Sequence, residues 1–360
     1  MALSHDLCYS IVDIHLLLEY HDSSALQYFN FVMSIVTCLV GLVGNAVVIC
    51  FIGFIIKKHK SKYWFLNLAI ADFLSLLILP LHAISTLKGT WTFGPHMCKL
   101  YIFSLFANMY ASIYILIALN ITRVLSVAKP MFHLRFISQR VSVLICSLIW
   151  FITILFTLPV FYYAGEVKIG EVILCNFVED NILGTVVNTG YNVSSENATR
   201  DMYTKLSPYI EQCSSDTCCG GEETLILWTH FKLMLKWFVI PLFTIGYFIP
   251  FGVVMICNIT IAVHVRKSKT VNPQRLYRII LIIIMVYFIT WTPLVIAEIV
   301  LLISVHNMNL ITTFNIFKFL PLLINITYTN SCLNPIVYVL SGGQMRTGIL
   351  NFISSIRRCY

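Results

Sequence analysis

The chain has 360 residues, of which 11% are charged and 58% are hydrophobic, and its mean hydropathy is +0.84. This composition lies far from that of a soluble enzyme. It also excludes a disordered chain, a coiled coil and a secreted disulfide scaffold, because apolar surface on this scale needs lipid or an enormous core to cover it. The formal net charge of +8 must therefore be divided between two sides of a membrane before it indicates any partner.

Seven apolar runs follow one another, each long enough to cross a hydrocarbon core of about 30 Å as a helix. They cover residues 28–56, 63–87, 100–128, 141–165, 237–265, 277–304 and 310–340. The sequence thus predicts an all-α fold, a bundle of seven transmembrane helices. We expect three regions: an N-terminal tail at 1–27, a helical domain at 28–340 with a long acidic connection at 164–227, and a short tail at 341–360.

The connections alternate between basic and acidic, which predicts the orientation. Sixteen of the 24 basic residues and no Asp or Glu lie on the side of the C-terminal tail, whereas 14 of the 16 acids lie on the opposite side. The remaining acids, Asp72 and Glu298, fall inside predicted spans. Because Lys and Arg are retained in the cytoplasm, we expect the N-terminus outside, in a multi-pass plasma-membrane protein that contacts lipids. The net charge gives no reason to expect a nucleic-acid partner.

Several residues on these two faces are candidates for modification. Asn192 and Asn197 stand in glycosylation motifs within the outer connection, whereas three other such motifs fall inside spans. Cys359 follows two arginines at the inner membrane surface and is a candidate for palmitoylation. An even number of cysteines lies outside and permits full pairing, although their spacing does not give the connectivity: Cys8, Cys98, Cys175, Cys213, Cys218 and Cys219.

Polar residues inside the spans call for an explanation, Asp72 above all, because a carboxylate near the bilayer centre costs roughly 2.5 to 3.5 kcal/mol on insertion scales. Six others lie at a comparable depth: Asn45, Asn108, Ser112, Asn330, Ser331 and Asn334. Such a cluster either surrounds a small hydrated cation or forms a hydrogen-bonded core that holds the helices together. Prolines bend several spans as well, and two of them have informative neighbours, in Trp291-Thr-Pro293 and in Asn334-Pro335-Ile-Val-Tyr338.

Taken in order, these patterns resemble the rhodopsin-like (class A) G-protein-coupled receptors over about residues 28–353. The matching positions are Gly44-Asn45, Leu68 with Asp72, Trp91-Thr-Phe-Gly94, Cys98, Trp150, Pro250, Trp291-Thr-Pro293 and Asn334-Pro335-Ile-Val-Tyr338. Each motif is weak alone, but all of them on the correct side and with the correct spacing make a strong signal.

The resemblance implies roles for individual residues. It implies a disulfide between Cys98 and Cys175, an allosteric sodium ion at Asp72 as the one expected cofactor, and G-protein coupling through Arg123. It implies a short amphipathic eighth helix at 343–352 and a switch made of Trp291, Pro293, Pro335 and Tyr338. The positions that match the ligand pocket are Tyr101, Phe106, Leu294 and Tyr328, although each judged alone is more typical of a packing residue.

Residues that hold particular ligands in other receptors of this family are absent here, and their absence narrows the ligand class. Leu105 stands where amine receptors place an aspartate, and the segments 108–112 and 330–335 look like the chemoattractant branch, which includes the formyl-peptide, complement-anaphylatoxin, chemerin and prostaglandin D chemoattractant receptors. We therefore expect a peptide or lipid chemoattractant as the ligand. Phe238 and Leu242 stand where some of these receptors hold a ligand carboxylate with basic residues, which disfavours an acidic anchor.

Negative charge on the outer face suggests a basic ligand instead. The connection 164–227 carries ten acids against three bases, and such a loop either attracts cationic peptides or simply keeps the surface soluble. Glu298 is the best single candidate to pair with a ligand cation, and neutralisation by Lys318 is the competing interpretation.

Two departures from the family lie on the signalling face. Thr122 precedes Arg123 where an acid is usual, and no Asp or Glu occurs on the cytoplasmic side, so we expect raised basal activity. Asn258 replaces the usual fifth-span tyrosine and should weaken the active state. The main hypothesis is a receptor that activates a heterotrimeric G protein, with the inhibitory class as the family-level expectation. The alternative is an atypical or scavenging receptor that binds without coupling, and an enzyme is not expected because no convergent nucleophile and base occur.

Overall fold

The computed structural model describes residues 25–55, 62–169, 172–177, 235–267, 274–307 and 310–341. Within this part of the chain, six segments are long and apolar enough to cross a membrane: Ala25–Gly53, Lys62–Lys88, Pro95–Ala128, Gln139–Tyr163, Lys236–His264 and Ile280–Ser304. A seventh long helix, Leu310–Ser341, packs against the first, second and sixth spans. The predicted seven-helix bundle is confirmed, and the side that each end faces stays a prediction from the charge distribution.

Most spans are built from more than one helical piece. The first is an α-helix at Ala25–Cys50 and a π-helical turn at Phe51–Ile55, and the second is split into Lys62–Leu76 and Leu79–Lys88. The third is one helix, Pro95–Ala128, followed by a short helix at Pro130–Phe136. The fourth comprises Gln139–Thr157 and Val160–Tyr163. The fifth comprises π-helical turns at Leu235–Val239 and Thr244–Phe248 and α-helices at Ile240–Phe243 and Ile249–Lys267, and the sixth is the helix Gln274–His306.

Prolines account for several contacts between these spans. A proline has no N–H to bond the carbonyl four residues earlier, so that carbonyl needs another donor where no water is present. At Pro80, Pro250 and Pro335 a side chain of a neighbouring span supplies it. The donors are Cys38 Sγ to Leu76 O at 3.5 Å, Tyr287 Oη to Gly246 O at 3.3 Å, and Asn45 Nδ2 to Ser331 O at 2.9 Å.

The third span is the central element of the bundle. In its most apolar window 67% of the residues are buried, against 28% in the fourth span, which presents most of its surface to lipid. Because the third span contacts the second, fourth, fifth and sixth spans, residues along its length can link the outer end of the bundle to the inner end.

A polar contact joins the first span to the seventh. Ser34 Oγ lies 2.5 Å from Asn325 Oδ1, and Asn325 Nδ2 donates to Asn30 O at 3.1 Å. All three side chains are buried. Because a polar group in hydrocarbon has no water to bond, such contacts favour one register between two helices.

A β-hairpin follows the fourth span and was not predicted from the sequence. Strand β1, Ala164–Ile169, pairs antiparallel with strand β2, Val172–Phe177, and Ala164 lies opposite Phe177. The backbone N–H of Trp91 donates to Ile173 O at 2.7 Å, so the hairpin is attached to the connection between the second and third spans. The bundle is thus all-α, with one small sheet at its end.

Candidate functional site

The polar residues predicted inside the spans form a connected group around Asp72. Asp72 is fully buried, and its Oδ2 accepts a hydrogen bond from Asn334 Nδ2 at 2.8 Å. The amide of Asn108 fits best with its nitrogen toward Asp72 Oδ1, at 3.3 Å, and its oxygen toward Ser331 Oγ, at 3.0 Å. Two neighbouring spans therefore each direct an amide donor at the carboxylate.

The other predicted members of the group lie at its edge. Ser112 Oγ is 3.3 Å from the Asn108 amide, and Asn45 Nδ2 donates to both Gly41 O and Ser331 O at 2.9 Å. Asn330 is 1% exposed. Three amide oxygens have no hydrogen-bond donor: Asn45 Oδ1, Asn330 Oδ1 and Asn334 Oδ1. Carboxylate and amide oxygens are hard ligands of the kind that a small cation binds.

Aromatic side chains fill the outer half of the bundle. Phe106, a predicted pocket residue, lies 5.6 Å from the ring of Phe177 at the end of β2 and 6.0 Å from that of Phe243. Phe177 also contacts the ring of Phe238, at 5.1 Å, which in turn stacks on Tyr163 at 4.7 Å. The hairpin thus places an aromatic ring between the third and fifth spans.

Tyr101 belongs to a second outer group. Its hydroxyl lies 2.9 Å from His82 Nδ1, and the other ring nitrogen of His82 lies 3.3 Å from Pro321 O. The Tyr101 ring also packs against Trp91, with 5.6 Å between ring centroids. This chain of contacts links the second, third and seventh spans, and His82 is a member that the sequence analysis did not single out.

The remaining pocket candidates differ in exposure. Leu294 and Tyr328 are buried, whereas Glu298 is only half-buried on the outer part of the sixth span. Among the described residues, no hydrogen bond or ion pair of the Glu298 carboxylate is seen, and Lys318 is exposed.

A disulfide holds the hairpin over this region. Cys98 at the start of the third span is bonded to Cys175 in β2, with 5.5 Å between their Cα atoms. This is the pairing that the family resemblance implies. Because Phe177 lies two residues after Cys175, the bond also fixes where that ring enters the bundle.

Below the aromatic residues lies the predicted switch. Trp291 is 1% exposed and stacks on Tyr287, with 5.9 Å between ring centroids, and its indole nitrogen has no hydrogen-bond partner. Pro293 interrupts the backbone bonding of the sixth helix just beyond it. Tyr247 Oη lies 2.7 Å from Thr292 Oγ1 and so links the fifth span to the same bend.

Tyr287 is a second residue that sequence reasoning missed. It is fully buried, and its hydroxyl donates to Gly246 O of the fifth span at 3.3 Å and approaches Met109 O of the third span at 3.4 Å. The available signal was its position four residues before Trp291, which puts both rings on one face of the sixth helix.

Thr122 and Arg123 lie in the last turns of the third span, at its predicted cytoplasmic end. Thr122 is buried, and its hydroxyl donates to Leu119 O of its own helix at 2.7 Å, so it offers no charge to the adjacent guanidinium. Asn258 on the fifth span has a buried side-chain oxygen without a donor. Pro335 is buried against Gly44 of the first span.

Some predicted residues cannot be placed. Asn192, Asn197, Cys359 and the eighth helix at 343–352 lie outside the described residues. The same holds for the side chain of Tyr338 and for four outer cysteines: Cys8, Cys213, Cys218 and Cys219.

Comparison with known proteins decides the family. The model of the seven-transmembrane receptors of the rhodopsin family matches residues 44–196 and 202–338. The chain belongs to this family. It is therefore a multi-pass plasma-membrane receptor that works with a ligand and a G protein, and it is not an enzyme.

Individual relatives have modest identity over about three quarters or more of their length. Chemerin-like receptor 1 of Sus scrofa is 27% identical over 90% of this chain and 80% of its own. Chemerin-like receptor 2 of Homo sapiens is 27% identical over 98% of this chain and 86% of its own. The C3a anaphylatoxin chemotactic receptor of Oncorhynchus mykiss is 27% identical over 88% of this chain and 74% of its own.

Proposed function

We propose that this receptor binds an extracellular chemoattractant-type peptide with a positively charged group and activates a G protein of the inhibitory class. The relatives named for chemerin and for C3a support the chemoattractant class. A positive charge on the ligand is suggested by Glu298, a half-buried carboxylate on the outer part of the sixth span for which no ion pair with a described residue is seen.

We infer that the sixth span links binding to signalling. A ligand that enters beneath the hairpin meets Phe177 and Phe106 first and lies above Trp291. If it binds more tightly when the sixth span has pivoted at Pro293, it shifts the population toward that arrangement, since a ligand acts only through its differential affinity for two states. The pivot opens the inner end around Arg123, where the G protein binds.

The test is a panel of synthetic basic peptides applied to cells that express the receptor, with binding and nucleotide exchange both measured. For the best peptide, we expect Glu298→Gln to weaken binding about 10- to 100-fold, the range for the loss of a charge-assisted hydrogen bond. Glu166→Gln, which makes the same charge change in β1, is the matched control and should have less than a threefold effect. Equal effects of the two substitutions would refute a specific role for Glu298, and loss of exchange after pertussis toxin treatment would support the inhibitory class.

An atypical or scavenging receptor is the second candidate, favoured by Thr122 and Asn258. Both residues alter the inner end where the family couples to its G protein. The two candidates predict opposite results in the same assay, because a scavenger binds and internalises the peptide at full affinity without any nucleotide exchange.

We also propose that the group around Asp72 holds a sodium ion. The support is the buried Asp72 carboxylate together with Asn334, whose amide nitrogen bonds it and whose amide oxygen has no donor among the described residues. A cation that binds only the folded receptor stabilises it by about 1.4 kcal/mol at tenfold excess over its dissociation constant. We expect purified receptor to unfold at higher temperature in sodium chloride than in choline chloride. Asp72→Asn should remove the difference, and Glu298→Gln, at the other acid inside the spans, should keep it.

A further inference from the structure

The surfaces on which the family resemblance places ligand contacts are covered by the chain's own side chains. Six such positions on the third, fifth, sixth and seventh spans are at most 7% exposed: Tyr101, Phe106, Phe238, Leu242, Leu294 and Tyr328. A peptide contacts these surfaces only after a side chain that covers them has moved. The receptor itself therefore occupies part of the proposed ligand site.

Phe177 of the hairpin covers two of these positions. Its ring centroid lies 5.6 Å from that of Phe106 on the third span and 5.1 Å from that of Phe238 on the fifth. Three residues of β2 pack against the hydrophobic core, namely Ile173, Cys175 and Phe177. Their spacing of two residues puts them on one face of the strand. The apolar face of β2 thus ends in a ring that is inserted between two spans.

The hairpin is anchored at residues other than Phe177. The backbone N–H of Ile173 donates to Thr90 Oγ1 at 3.0 Å, and Ile173 O accepts from the backbone N–H of Trp91 at 2.7 Å. The disulfide holds Cys175. Since Phe177 is the last residue of β2, its ring can leave by rotation of its own side chain while the hairpin stays attached to the bundle.

The inserted position of the ring is favoured by both aromatic contacts. One aromatic pair favours contact about two- to tenfold beyond the burial of its area. Two pairs together should therefore leave the ring withdrawn in roughly one molecule in ten or fewer. A ligand that binds only to the withdrawn arrangement has an apparent dissociation constant raised by the reciprocal of that fraction.

We propose that Phe177 is an autoinhibitory side chain, whose ring occupies part of the ligand site and must withdraw before a ligand binds. The inference rests on the proposed ligand site between the hairpin and Trp291, but not on which peptide binds there. Within the part of the chain that the structure describes, the ring contacts of Phe177 are on the third and fifth spans rather than on the sixth. Withdrawal of the ring therefore controls entry of the ligand and leaves the pivot at Pro293 as a separate step.

The experiment measures access to the covered surface with a thiol reagent, so it needs no peptide. Leu242→Cys places a reporter four residues beyond Phe238 on the fifth span, at a position that is 3% exposed. Full-length receptor is treated with aminoethyl methanethiosulfonate, and the labelling of receptor without the reporter is subtracted. We expect Phe177→Ala to accelerate labelling of the reporter about tenfold. Phe177→Leu keeps an apolar side chain without a ring and should accelerate it less.

Two controls separate the ring from the rest of the hairpin. Ile173→Ala shortens another side chain on the same face of β2 and should leave the rate nearly unchanged. His306→Cys, at an exposed residue at the end of the sixth helix, should be labelled at one rate whether Phe177 is present or replaced. Equal acceleration by Ile173→Ala and Phe177→Ala would overturn the proposal in favour of a general loosening of the hairpin. An unchanged rate at the reporter in both Phe177 variants would overturn it outright.

Peptide binding distinguishes this proposal from the proposed function on which it rests. For the best peptide of the panel, we expect Phe177→Ala to tighten binding about tenfold, mainly through faster association. Faster labelling of the reporter, with no peptide bound by either protein, would support the autoinhibitory role and refute the proposed ligand class. Unchanged labelling together with weaker peptide binding would make Phe177 a ligand contact and overturn the proposal.

Discussion

The polar contact between the first and seventh spans gives a prediction that can be worked out from the structure. Ser34 and Asn325 are 0% and 1% exposed, and the distance between Ser34 Oγ and Asn325 Oδ1 is 2.5 Å. Hydrogen bonds between transmembrane helices contribute about 0.6 kcal/mol on average and about 1.7 kcal/mol at most in double-mutant cycles. A short, fully buried bond should fall in the upper half of that range.

The single substitutions should differ in cost. Ser34→Ala removes one hydroxyl, whereas Asn325→Ala also removes the donor to Asn30 O and leaves a cavity, so we expect it to lower the free energy of unfolding by about 2 kcal/mol or more. In the double variant, the coupling free energy between the two sites should be about 1 to 1.7 kcal/mol.

The assay is equilibrium unfolding of the four purified proteins in mixed micelles titrated with a denaturing detergent. Ser142→Ala is the matched control, because Ser142 is also buried but donates only to Ser138 O of its own helix. Combined with Asn325→Ala, it should be additive within about 0.5 kcal/mol. If Ser34→Ala is equally additive with Asn325→Ala, the contact does not stabilise the interface and the reasoning is refuted.

Three further outcomes are expected. Gly44→Ala should lower the free energy of unfolding by about 1 to 3 kcal/mol, because a Cβ at Gly44 would lie 3.1 Å from Cβ of Pro335, whereas Gly252→Ala, with no atom within 4 Å, should be neutral or stabilising by up to about 1 kcal/mol. Cys98→Ser opens a loop with a sequence separation of 77 and should lower the free energy of unfolding by roughly 4 to 5 kcal/mol through chain entropy. We also expect this variant to lose peptide binding. Thr122→Asp should lower basal nucleotide exchange about two- to fivefold, since a carboxylate beside the adjacent arginine restrains it by up to about 1 kcal/mol.

Each of these has a result that would contradict it. An unfolding free energy for Gly44→Ala equal to that for Gly252→Ala would mean that the first span moves freely away from the seventh-span proline. Unchanged stability after loss of the disulfide would mean that other contacts are sufficient to hold the hairpin in place. Basal exchange in Thr122→Asp equal to that of the parent, at matched surface expression, would show that the missing acid does not set the resting state.

Hydropathy located the spans well because lipid imposes a length and a polarity on any helix that crosses it. The predicted spans differ from the observed helices at their ends. The third run was predicted to begin at 100, whereas the helix begins at Pro95, preceded by Gly94 with a φ of 82°. Proline is favoured at the first helical position and glycine tolerates a positive φ, so the start is set by local backbone chemistry that a hydropathy average does not detect.

The hairpin was missed for a different reason. It lies in a connection where charge and glycosylation motifs dominate the composition, and its strands are six residues each. A two-stranded hairpin is marginal alone in water. Here it is held by the disulfide and by the backbone of Trp91, both of which come from residues far away in the sequence.

Within the site, the sequence indicated which polar residues share a depth but not which of them bond. Helical periodicity fixes the face of a residue only relative to its own helix, while hydrogen bonding depends on how each helix is rotated against its neighbours. Asn45 illustrates the limit. It was grouped with Asp72, yet its amide donates to Ser331 O, the carbonyl that Pro335 leaves without a backbone donor.

The sequence gives no sign that the prolines and the polar side chains interact, but in the fold they do, because polar side chains bind carbonyls that prolines leave without a donor. At Pro80, Pro250 and Pro335 a donor on a neighbouring span binds the carbonyl that the proline frees, so these bends are coupled to contacts between spans. Tyr287 is the clearest case, because its hydroxyl contacts the fifth and third spans directly beneath Trp291. A pivot of the sixth span at Pro293 must break these bonds or move the neighbouring spans with it. The hydrogen bonds of Tyr287 to carbonyls in the middle of the bundle are therefore contacts that oppose a pivot of the sixth span.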